Sequence, residues 1–389
     1  MNILFYFESQ INPQRGGTER VADNIAHELK KRGYEVFYLS RRKVDGEYDI
    51  PCFFLPDEKG NTERNYSFVK NLIIEHNIDI IINEGGNTED IYFFSKEHFS
   101  NVKIITHLHF NPYLQYKYFY RSLYLPLSVL HPVKTFVNIL KWIKAPWNRY
   151  NLLRHMRQRY KYMYKNSDKV ILLAPTYIDE FCTIANVTND SKKCESFYNP
   201  NTFQNILDIQ EKENVVLFVG RLSFEHKRVD YLLDIWKIVS KIKNDWKLKI
   251  VGDGPDRKRL QNYCKSNDIQ NVYFEGFKDI SPYYAKAKVL CLTSITEGSP
   301  MVIVEAMQNG VVPMVYDTFS ASRCLIEDNM NGYVIPPFEK EQYAKRLIEI
   351  IKNEDKLQTI SKNCIKSANK YNKESIVNIW EELFSVLKV

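Results

Sequence analysis

The chain has 389 residues, of which 54 are Lys or Arg and 47 are Asp or Glu, so its formal net charge is +7. With 44% hydrophobic and 26% charged residues, the composition is that of an ordinary globular protein, which excludes a disordered tail and a disulfide-dense scaffold. At roughly 150 residues per domain the length predicts two or three domains, which excludes a single small binding module.

The seven cysteines are odd in number, scattered and never spaced as C-x-x-C, which argues against both a disulfide framework and a zinc site. We therefore expect a reducing, cytosolic compartment. No basic leader precedes an apolar core at the N-terminus, and no uncharged apolar stretch of about 18 residues occurs. We accordingly expect neither a signal peptide nor a membrane-crossing helix.

The first half of the chain alternates predicted strands with helices, which indicates an α/β sheet. It opens with a strand over Ile3–Phe7, a glycine loop at Gly16 and Gly17, and a helix over Glu19–Arg32 with Thr18 as its expected N-cap. Further buried strands are predicted at Glu35–Leu39, Ile78–Ile82 and Lys103–Thr106.

The same pattern restarts after residue 200, so the sequence predicts two doubly wound units. The predicted domains are 1–200 and 201–372, followed by a C-terminal helix within 373–389. In such sheets ligands bind beyond the carboxyl ends of the strands, and we expect functional residues in the loops there. The predicted strands of the second unit are Val215–Val219, Leu248–Val251, Val272–Phe274, Val289–Leu292 and Val311–Val315.

The stretch 293–310 predicts a loop followed by a short capped helix. Ser299 is a suitable N-cap and Pro300 suits the first helical position. Unsatisfied amides at a helix N-terminus favour an anion, and here they would be those near Met301 and Val302. The loop therefore predicts a phosphate site.

Two glutamates accompany this predicted helix start, Glu297 in the loop before it and Glu305 inside it. The spacing Glu-x7-Glu, in the context Glu-Gly-x-Pro-x4-Glu-Ala-Met, resembles the signature of family 4 retaining glycosyltransferases, which have the two-domain GT-B fold. The resemblance implies that Glu297 contacts the transferred sugar and Glu305 binds the nucleotide ribose. The alternative is a capped core helix with two solvated glutamates. The implied donor-binding set of this stretch is Glu297, Gly298, Ser299, Met301, Val302 and Glu305.

Arg221 and Lys227, six residues apart after a predicted strand, are the second match. Two cations beside a diphosphate stabilise the charge that develops as the nucleotide leaves, each by about 4 kcal/mol at about 4 Å and an effective dielectric near 20, before desolvation. The resemblance assigns this role to Arg221 and Lys227, which makes a metal unnecessary. Two surface cations in a loop are the alternative, because His226 and Arg228 lie beside Lys227.

Gly16 and Gly17 resemble the N-terminal glycine loop of the family, where the backbone approaches the diphosphate, although a Gly-Gly pair can also be a plain turn. The segment after the strand ending near Thr106 resembles the one that supplies the active-site histidine. His109 is favoured because that histidine follows the strand by about two residues, and His107 is the competitor. Its implied task is to bond a donor-sugar hydroxyl rather than a metal.

Gly252 and the backbone around Phe277 and Lys278 complete the match, and the resemblance implies that they flank the nucleotide base. Gly252 could equally mark a tight turn. The resemblance also implies that the last helix, Ser375–Leu387, crosses back to the first domain. The resemblance is strong over residues 214–335 and is limited to short motifs in the residues before them.

The positive charge is concentrated in one segment, because no acidic residue occurs between Glu97 and Asp168 whereas twelve basic ones do. Without those twelve, 42 basic residues face 47 acidic ones, a net charge of −5. Residues 113–165 hold eleven of the twelve together with thirteen aromatic residues. This composition resembles surfaces that lie on anionic lipid headgroups, where each nearby cation contributes about 1 kcal/mol.

We expect the prolines of this segment to break it into short pieces that lie on a membrane rather than cross it. One alternative is nucleic acid, for which no recognition motif is present. The other is a structural insertion whose tyrosines pack against the first domain. The prolines concerned are Pro126, Pro132 and Pro146.

Together, the residues and the resemblance predict a metal-independent glycosyltransferase with two Rossmann-like domains facing across a cleft. The GT-B fold and retention of anomeric configuration are what the resemblance implies. The enzyme would transfer a sugar from a UDP-sugar to a hydroxyl of a glycan or lipid-linked acceptor in surface polysaccharide assembly. We expect no cofactor, no nucleic-acid partner and a peripheral position on the inner face of the plasma membrane. The alternatives are a sugar-nucleotide epimerase of the same fold and a non-catalytic, membrane-associated scaffold that binds nucleotide sugars.

Overall fold

A computed structural model describes residues 1–13, 16–43, 49–86, 90–123, 132–201 and 211–387. The chain divides into two units. The first comprises Met1–Tyr116, Leu127–Thr202 and Tyr371–Val389, and the second comprises Lys117–Pro126 and Phe203–Lys370. The predicted boundaries at 200 and 372 differ by two residues from these, and residues 117–126 group with the second unit instead of the first. Pro126 of the predicted membrane segment lies outside the described residues.

The first unit is built on a parallel sheet whose strand order is β3-β2-β1-β4-β5-β6-β7. Its central strands are apolar and buried on both faces, as parallel strands covered by helices must be. The prediction missed the three short strands β3, β6 and β7. The strands are β1 (Asn2–Ser9), β2 (Glu35–Arg42), β3 (Cys52–Phe54), β4 (Ile80–Asn83), β5 (Lys103–His107), β6 (Lys169–Leu172) and β7 (Cys194–Ser196).

The helices of the first half begin with α1, which starts at Gly17 with Gly16 in the cap position, so the predicted cap at Thr18 is wrong by two residues. Gly33, at a φ of +89°, follows the helix as expected for a C′ glycine. The helices are α1 (Gly17–Lys31), α2 (Glu63–Glu75), α3 (Asp90–Phe93), α4 (Leu114–Lys117), α5 (Phe119–Ser122), α6 (Pro132–Asn166) and α7 (Pro175–Ala185).

The long helix α6 contradicts the expectation that prolines break this segment, because it runs unbroken for 35 residues. Pro132 is its first residue, where no backbone donor is needed. Pro146 lies inside and removes one backbone hydrogen bond. The helix continues because its inner face is held by packing on the first unit, where Met156 and Tyr160 are buried and the Tyr160 ring stacks on Phe181.

The described part of 117–126 is attached to the second unit by aromatic contacts. The Arg121 guanidinium lies 3.8 Å from the centre of the Phe338 ring, and Tyr118 meets the same ring edge-on at 5.8 Å. A cation over a ring face is attracted by the ring quadrupole. These contacts explain why this short piece of the predicted insertion groups with the second unit.

The second unit has a parallel sheet of order β10-β9-β8-β11-β12-β13. Its strands are β8 (Val215–Val219), β9 (Lys247–Val251), β10 (Val272–Gly276), β11 (Val289–Leu292), β12 (Val312–Tyr316) and β13 (Tyr333–Ile335). The helices that follow are α8 (Val229–Ile242), α9 (Arg257–Ser266), α10 (Ser281–Lys286), α11 (Met301–Gln308), α12 (Ser322–Leu325), α13 (Lys340–Ile351), α14 (Glu354–Ala368) and α15 (Lys373–Val386), with a short 3-10 turn over Asn369–Tyr371.

Helix α15, the last of the chain, packs on the first unit. Arg32 at the end of α1 donates to Glu381 at 2.6 Å, and the Tyr34 ring meets Phe384 edge-on. Trp380 is buried and its ring meets that of His107 at 5.3 Å between centres. The C-terminal helix therefore completes the core of the first unit beside the end of β5.

The carboxyl ends of β8 and β9 are joined by an unusually close backbone approach. Gly252 has a φ of +135°, and a Cβ placed there would lie 2.1 Å from the carbonyl oxygen of Gly220. A Cβ at Gly254 would lie 2.3 Å from the carbonyl oxygen of Leu222. Two backbone hydrogen bonds hold this junction, from Gly220 to Val251 and from Leu222 to Asp253. Only glycine fits at residues 252 and 254 without displacing the opposite loop.

We predict that Gly252→Ala lowers the free energy of unfolding by about 2 to 4 kcal/mol, because it combines a strained backbone with a backbone clash. Chemical denaturation of the purified chain measures this loss. Gly16→Ala is the matched control, since a Cβ there meets nothing within 4 Å, and it should cost at most about 1 kcal/mol through the weaker helix cap. Equal stability of the two variants would contradict the clash.

Candidate functional site

The loops after β8, β9, β10 and β11 lie at one edge of the second sheet, because the carboxyl ends of parallel strands share an edge. The predicted site residues of the second half fall in these loops or directly after them. Arg221 and Lys227 follow β8, Gly252 follows β9, Phe277 follows β10, and the loop with Glu297 follows β11.

Lys227 and Glu297 are brought together in this edge. The Lys227 ammonium donates to the Glu297 carboxylate at 2.5 Å. The lysine side chain is 20% exposed and the glutamate side chain 9%, so the pair is largely removed from water. Each group is thereby held in place before any ligand arrives.

The two loops that carry this ion pair are bound to each other along their backbones. The amide of Ile295 donates to the carbonyl of His226 at 2.8 Å, and the hydroxyl of Thr293 donates to the carbonyl of Arg228 at 2.9 Å. The His226 ring also bonds the Thr296 hydroxyl at 3.0 Å. The Lys227–Glu297 distance is therefore fixed by backbone contacts and not only by attraction between the charges.

Arg221 is exposed and makes no ion pair with a described residue. The structure therefore does not bring Arg221 to Glu297, although it lies in the same loop as Lys227. Its guanidinium offers five N–H donors in a geometry that matches phosphate oxygens. The exposed Arg221 and the largely buried Lys227 lie in one loop, and two such cations can bind an anion.

Helix α11 begins at Met301 with Pro300 in the cap position, so the predicted start at Pro300 with Ser299 as cap is wrong by one residue. Glu297 lies in the loop and Glu305 inside the helix, as predicted. Glu305 is only 1% exposed and its carboxylate accepts from the Tyr284 hydroxyl at 3.1 Å. It is thus a hydrogen-bonded, buried carboxylate, which rules out the alternative of two solvated glutamates.

The loop after β10 carries Phe277 and Lys278, whose environments differ. Phe277 is 83% exposed, so its ring offers an apolar face to a ligand or to solvent. Lys278 donates to Glu275 at 3.0 Å, and this hydrogen bond raises the pKa of Lys278. Gly276 has a φ of +81°, and a Cβ there would lie 3.1 Å from Arg257.

In the first unit, the ends of β4 and β5 bring Glu84, His107 and His109 into one buried cluster. His107 is the last residue of β5 and His109 follows two residues later. His109 Nε2 is in hydrogen-bond contact with Glu84 Oε2, and His107 Nδ1 lies 3.0 Å from the same oxygen. The side chains of Glu84, His107 and His109 are 1%, 2% and 7% exposed.

Glu84 is the residue that sequence reasoning missed. It directly follows β4, which consists of three isoleucines and Asn83, and a carboxylate in that position is a signal that a search of strand ends would find. Burial by itself would raise its pKa, but the two imidazoles lower the pKa of Glu84 to about 2. Burial and the neighbouring His107 lower the pKa of His109, against the opposing effect of Glu84. Glu84 is therefore ionised at neutral pH.

Glu84, His107 and His109 are also the side chains of the described residues that could hold a metal ion, since one ligand atom from each lies within 4.8 Å of the others. Two imidazoles and a carboxylate are a donor set known from zinc sites. Glu84 and His109 are also in direct hydrogen-bond contact with each other.

The predicted glycine loop of the first unit lies at the start of α1. Gly16 has open space around its Cα, and its carbonyl accepts from the amide of Arg20. Gly17 is the first residue of the helix. The loop thus leaves backbone accessible at a helix N-terminus, where anions are favoured.

Known proteins resemble this chain along nearly its whole length. The family described as Glycosyl transferases group 1 matches residues 200–367, and the family described as Glycosyltransferase Family 4 matches residues 15–192. An uncharacterized glycosyltransferase of Haemophilus influenzae is 28% identical over 370 residues, which are 94% of this chain and 95% of that protein.

Two further comparisons bear on chemistry and fold. The Campylobacter jejuni GalNAc-alpha-(1->4)-GalNAc-alpha-(1->3)-diNAcBac-PP-undecaprenol alpha-1,4-N-acetyl-D-galactosaminyltransferase is 28% identical over 51% of this chain and 56% of that enzyme. The crystal structure of Anabaena HepE in complex with UDP and glucose superposes with a TM-score of 0.73 at 19% identity, covering 99% of this chain and all of the other. The two family matches and the two parallel-sheet units together identify the chain as a GT-B glycosyltransferase of the group 1 and family 4 type.

Proposed function

We propose that this glycosyltransferase transfers a sugar from a UDP-sugar, with retention of anomeric configuration, to a hydroxyl of a glycan or lipid-linked acceptor in surface polysaccharide assembly. The observation that carries the proposal is the Lys227–Glu297 ion pair at the carboxyl edge of the second sheet. A cation suited to a diphosphate and a carboxylate suited to sugar hydroxyls lie side by side there, as the two halves of a sugar nucleotide require.

Each charged group of this edge has a separate task in the proposed reaction. The bond between the anomeric carbon and the β-phosphate oxygen breaks, the acceptor oxygen bonds to that carbon, and the acceptor proton leaves with the departing nucleotide. Lys227 and Arg221 stabilise the negative charge that grows on the diphosphate. Glu297 holds sugar hydroxyls, and Glu305 binds the ribose when its carboxylate exchanges the Tyr284 contact for a ribose hydroxyl.

The remaining donor contacts are assigned from the likeness to family 4 glycosyltransferases. The loop that carries Gly298 and Ser299 and the helix start at Met301 and Val302 face the diphosphate with N–H groups. Gly252, Phe277 and Lys278 flank the base, and Gly16 and Gly17 are assigned to the diphosphate. The chemistry needs no metal, because cations supply the electrostatic stabilisation. UDP is proposed because Anabaena HepE, of the same fold, binds UDP and glucose.

We further propose that α6 attaches the enzyme to an anionic membrane surface. Most exposed apolar residues of its first half lie on one face, opposite the buried Ala145 and Met156, whereas Ile139 and Trp142 are exposed outside that face. Ile143 and Trp147 are 69% and 65% exposed on this face. We call it the outer face of α6, and its exposed apolar members are Val133, Phe136, Val137, Leu140, Ile143, Trp147 and Tyr150.

The outer face changes from apolar to cationic along the helix. The same face continues beyond Tyr150 through Arg154, Arg157, Lys161 and Lys165, all of which are exposed. An apolar half that enters the interface beside a cationic half that meets lipid phosphates is the arrangement of a helix lying in the plane of an anionic bilayer. No helix among the described residues has the length and apolar run needed to cross a membrane.

Other tyrosines of residues 113–165 support the alternative in which they pack against the first unit. Tyr160 is buried, and the Tyr164 hydroxyl donates to the carbonyl of Thr188 at 2.7 Å. The segment therefore serves both packing and, in our proposal, docking. Since the C. jejuni relative acts on an undecaprenol-linked acceptor, docking would bring this enzyme to acceptors held in the membrane. We propose the cytoplasmic face, because the seven cysteines are free thiols.

We predict that the purified chain releases UDP from at least one UDP-sugar when a lipid-linked or glycan acceptor is supplied, and that EDTA leaves the rate unchanged. A panel of sugar nucleotides assayed for nucleotide release and product mass tests this. Loss of activity in EDTA would contradict metal independence. Conversion of the donor without transfer would indicate an epimerase, and absence of turnover with every donor would indicate a scaffold.

We predict that Lys227→Ala and Glu297→Ala each lower kcat by about 100-fold or more, the scale of losing one preorganised electrostatic group. Lys286→Ala is the matched control, because Lys286 pairs with Glu213 at 2.9 Å near the opposite end of β8. The control should keep the wild-type kcat. Rates near that of the wild type in both site variants would remove the site assignment.

We predict that the chain floats with vesicles containing phosphatidylglycerol at low salt, and that Trp147→Glu lowers the partition coefficient by about 10-fold or more. Lys161→Glu should weaken binding to anionic vesicles but not to neutral ones, since it changes only the electrostatic contribution to membrane binding. Ile242→Glu is the control, as Ile242 is exposed on the second unit. No binding to anionic vesicles at low salt, or an outer face covered by a second copy in solution, would overturn the proposal.

A further inference from the structure

The loop after β8 is anchored to the connection between β9 and α9 through the amides of alternate residues. The amide of Gly220 donates to the carbonyl of Val251 at 3.0 Å, and the amide of Leu222 donates to the carbonyl of Asp253 at 2.9 Å. Arg221 lies between these two anchors and is exposed. A hydrogen-bonded residue on each side thus fixes the backbone of Arg221 and leaves its side chain at the surface.

The third anchor in this series is a side chain instead of a carbonyl. The amide of Phe224 donates to Oδ2 of Asp256 at 2.8 Å. A hydrogen bond to a carboxylate is roughly twice as strong as one between neutral groups, because the full charge of the acceptor attracts the donor. Asp256 also donates its own amide to the carbonyl of Leu222 at 3.3 Å. One residue therefore holds the loop at both Leu222 and Phe224.

Asp256 stands at the start of α9 but does not cap it. The residue occupies the cap position of this helix, and its side chain makes no capping hydrogen bond. Aspartate is favoured in that position because its carboxylate normally accepts from the amides of the first helical turn. The carboxylate of Asp256 is bonded to Phe224 of the neighbouring loop instead. Its hydrogen bond thus stabilises the loop rather than the helix that it precedes.

Arg259, in the first turn of α9, contacts the ring of the same loop residue. Its guanidinium lies 4.1 Å from the centre of the Phe224 ring. A cation over a ring face is attracted by the ring quadrupole. Phe224 is therefore held twice from the start of α9, at its backbone by Asp256 and at its side chain by Arg259.

We propose that Asp256 and Arg259 are positioning residues, which hold the loop after β8 through Phe224 in the conformation in which Arg221 and Lys227 bind the diphosphate together. This rests on the proposed function, in which these two cations meet the diphosphate. A site that is competent for only a fraction of the time binds its ligand more weakly by that fraction. Asp256 and Arg259 increase the competent fraction by acting on the loop and not on the donor.

The test compares the affinities of the full chain for UDP and for UMP by titration calorimetry. The two nucleotides share the base, the ribose and one phosphate, so the ratio of their affinities reports what the second phosphate gains from the cations. Asp256→Ala should lower the affinity for UDP by about 10-fold and that for UMP by less than about 2-fold. Asp256→Asn retains an oxygen that can accept from the Phe224 amide and should keep the affinity for UDP within about 3-fold of the wild type.

Arg259→Gln is a second variant, which removes the cation over the Phe224 ring. Arg259 is exposed, so this variant is expected to fold whether or not Asp256→Ala does. It should lower the UDP-to-UMP affinity ratio by about 2-fold or more.

Asp328→Ala is the matched control, because Asp328 also accepts from a backbone amide, that of Val334, at 3.0 Å. Asp328 lies in the connection that leads into β13, and the amino ends of parallel strands lie at the edge opposite the site. The control should lower thermal stability and leave the UDP-to-UMP affinity ratio unchanged. It separates the positioning effect from a general loss of stability.

Two outcomes overturn the inference: an affinity ratio that is the same in the wild type and in Asp256→Ala, or an equal loss of UDP affinity in Asp256→Ala and Asp256→Asn. Where Asp256→Ala does not fold, an unchanged ratio in Arg259→Gln overturns it.

Lys227→Ala separates these outcomes from failure of the proposed function. If the wild type does not bind UDP, or if Lys227→Ala binds it as tightly as the wild type, the proposed donor site itself is wrong. If Lys227→Ala weakens UDP binding while the ratio does not depend on Asp256 or Arg259, only the positioning role fails.

Discussion

The approach of the Gly252 backbone to the carbonyl oxygen of Gly220 constrains everything built on the carboxyl edge of the second sheet. No side chain fits between these segments, so the loops after β8 and β9 keep one relative position. The lysine side chain passes over this junction, with Lys227 Cε only 3.6 Å from where a Gly220 Cβ would be. The contact between these glycines thus fixes the start of the loop from which Lys227 reaches Glu297.

The ion pair that results is a preorganised charge arrangement rather than a source of stability. Taking Lys227 and Glu297 out of water costs free energy that their mutual attraction largely offsets. When the donor binds, the diphosphate can replace Glu297 as the anionic partner of Lys227, and sugar hydroxyls can replace Lys227 as the partner of Glu297. Neither charged group is then left unpaired. The reorganisation needed at the moment of reaction is then small, which is how fixed charges lower an activation barrier.

Local patterns in the sequence predicted the central strands and placed Glu297 in a loop and Glu305 in a helix, because apolar runs and capping residues act over short distances. Contacts between distant segments could not be predicted in this way. Glu84 meets two histidines more than twenty residues later only after β4 and β5 pair. Helix α6 continues through Pro146 because tertiary packing outweighs one lost hydrogen bond. The edge strands β3 and β7 are three residues long and have too little sequence for a periodic signal.

The central claim is that the Lys227–Glu297 pair is the donor site, and a crystal structure of the chain with UDP tests it most directly. We expect the Lys227 ammonium within hydrogen-bond distance of a phosphate oxygen and the Glu305 carboxylate on the ribose hydroxyls. Glu297 should then be free to meet a sugar. UDP bound elsewhere, with the Lys227–Glu297 contact intact, would contradict the account.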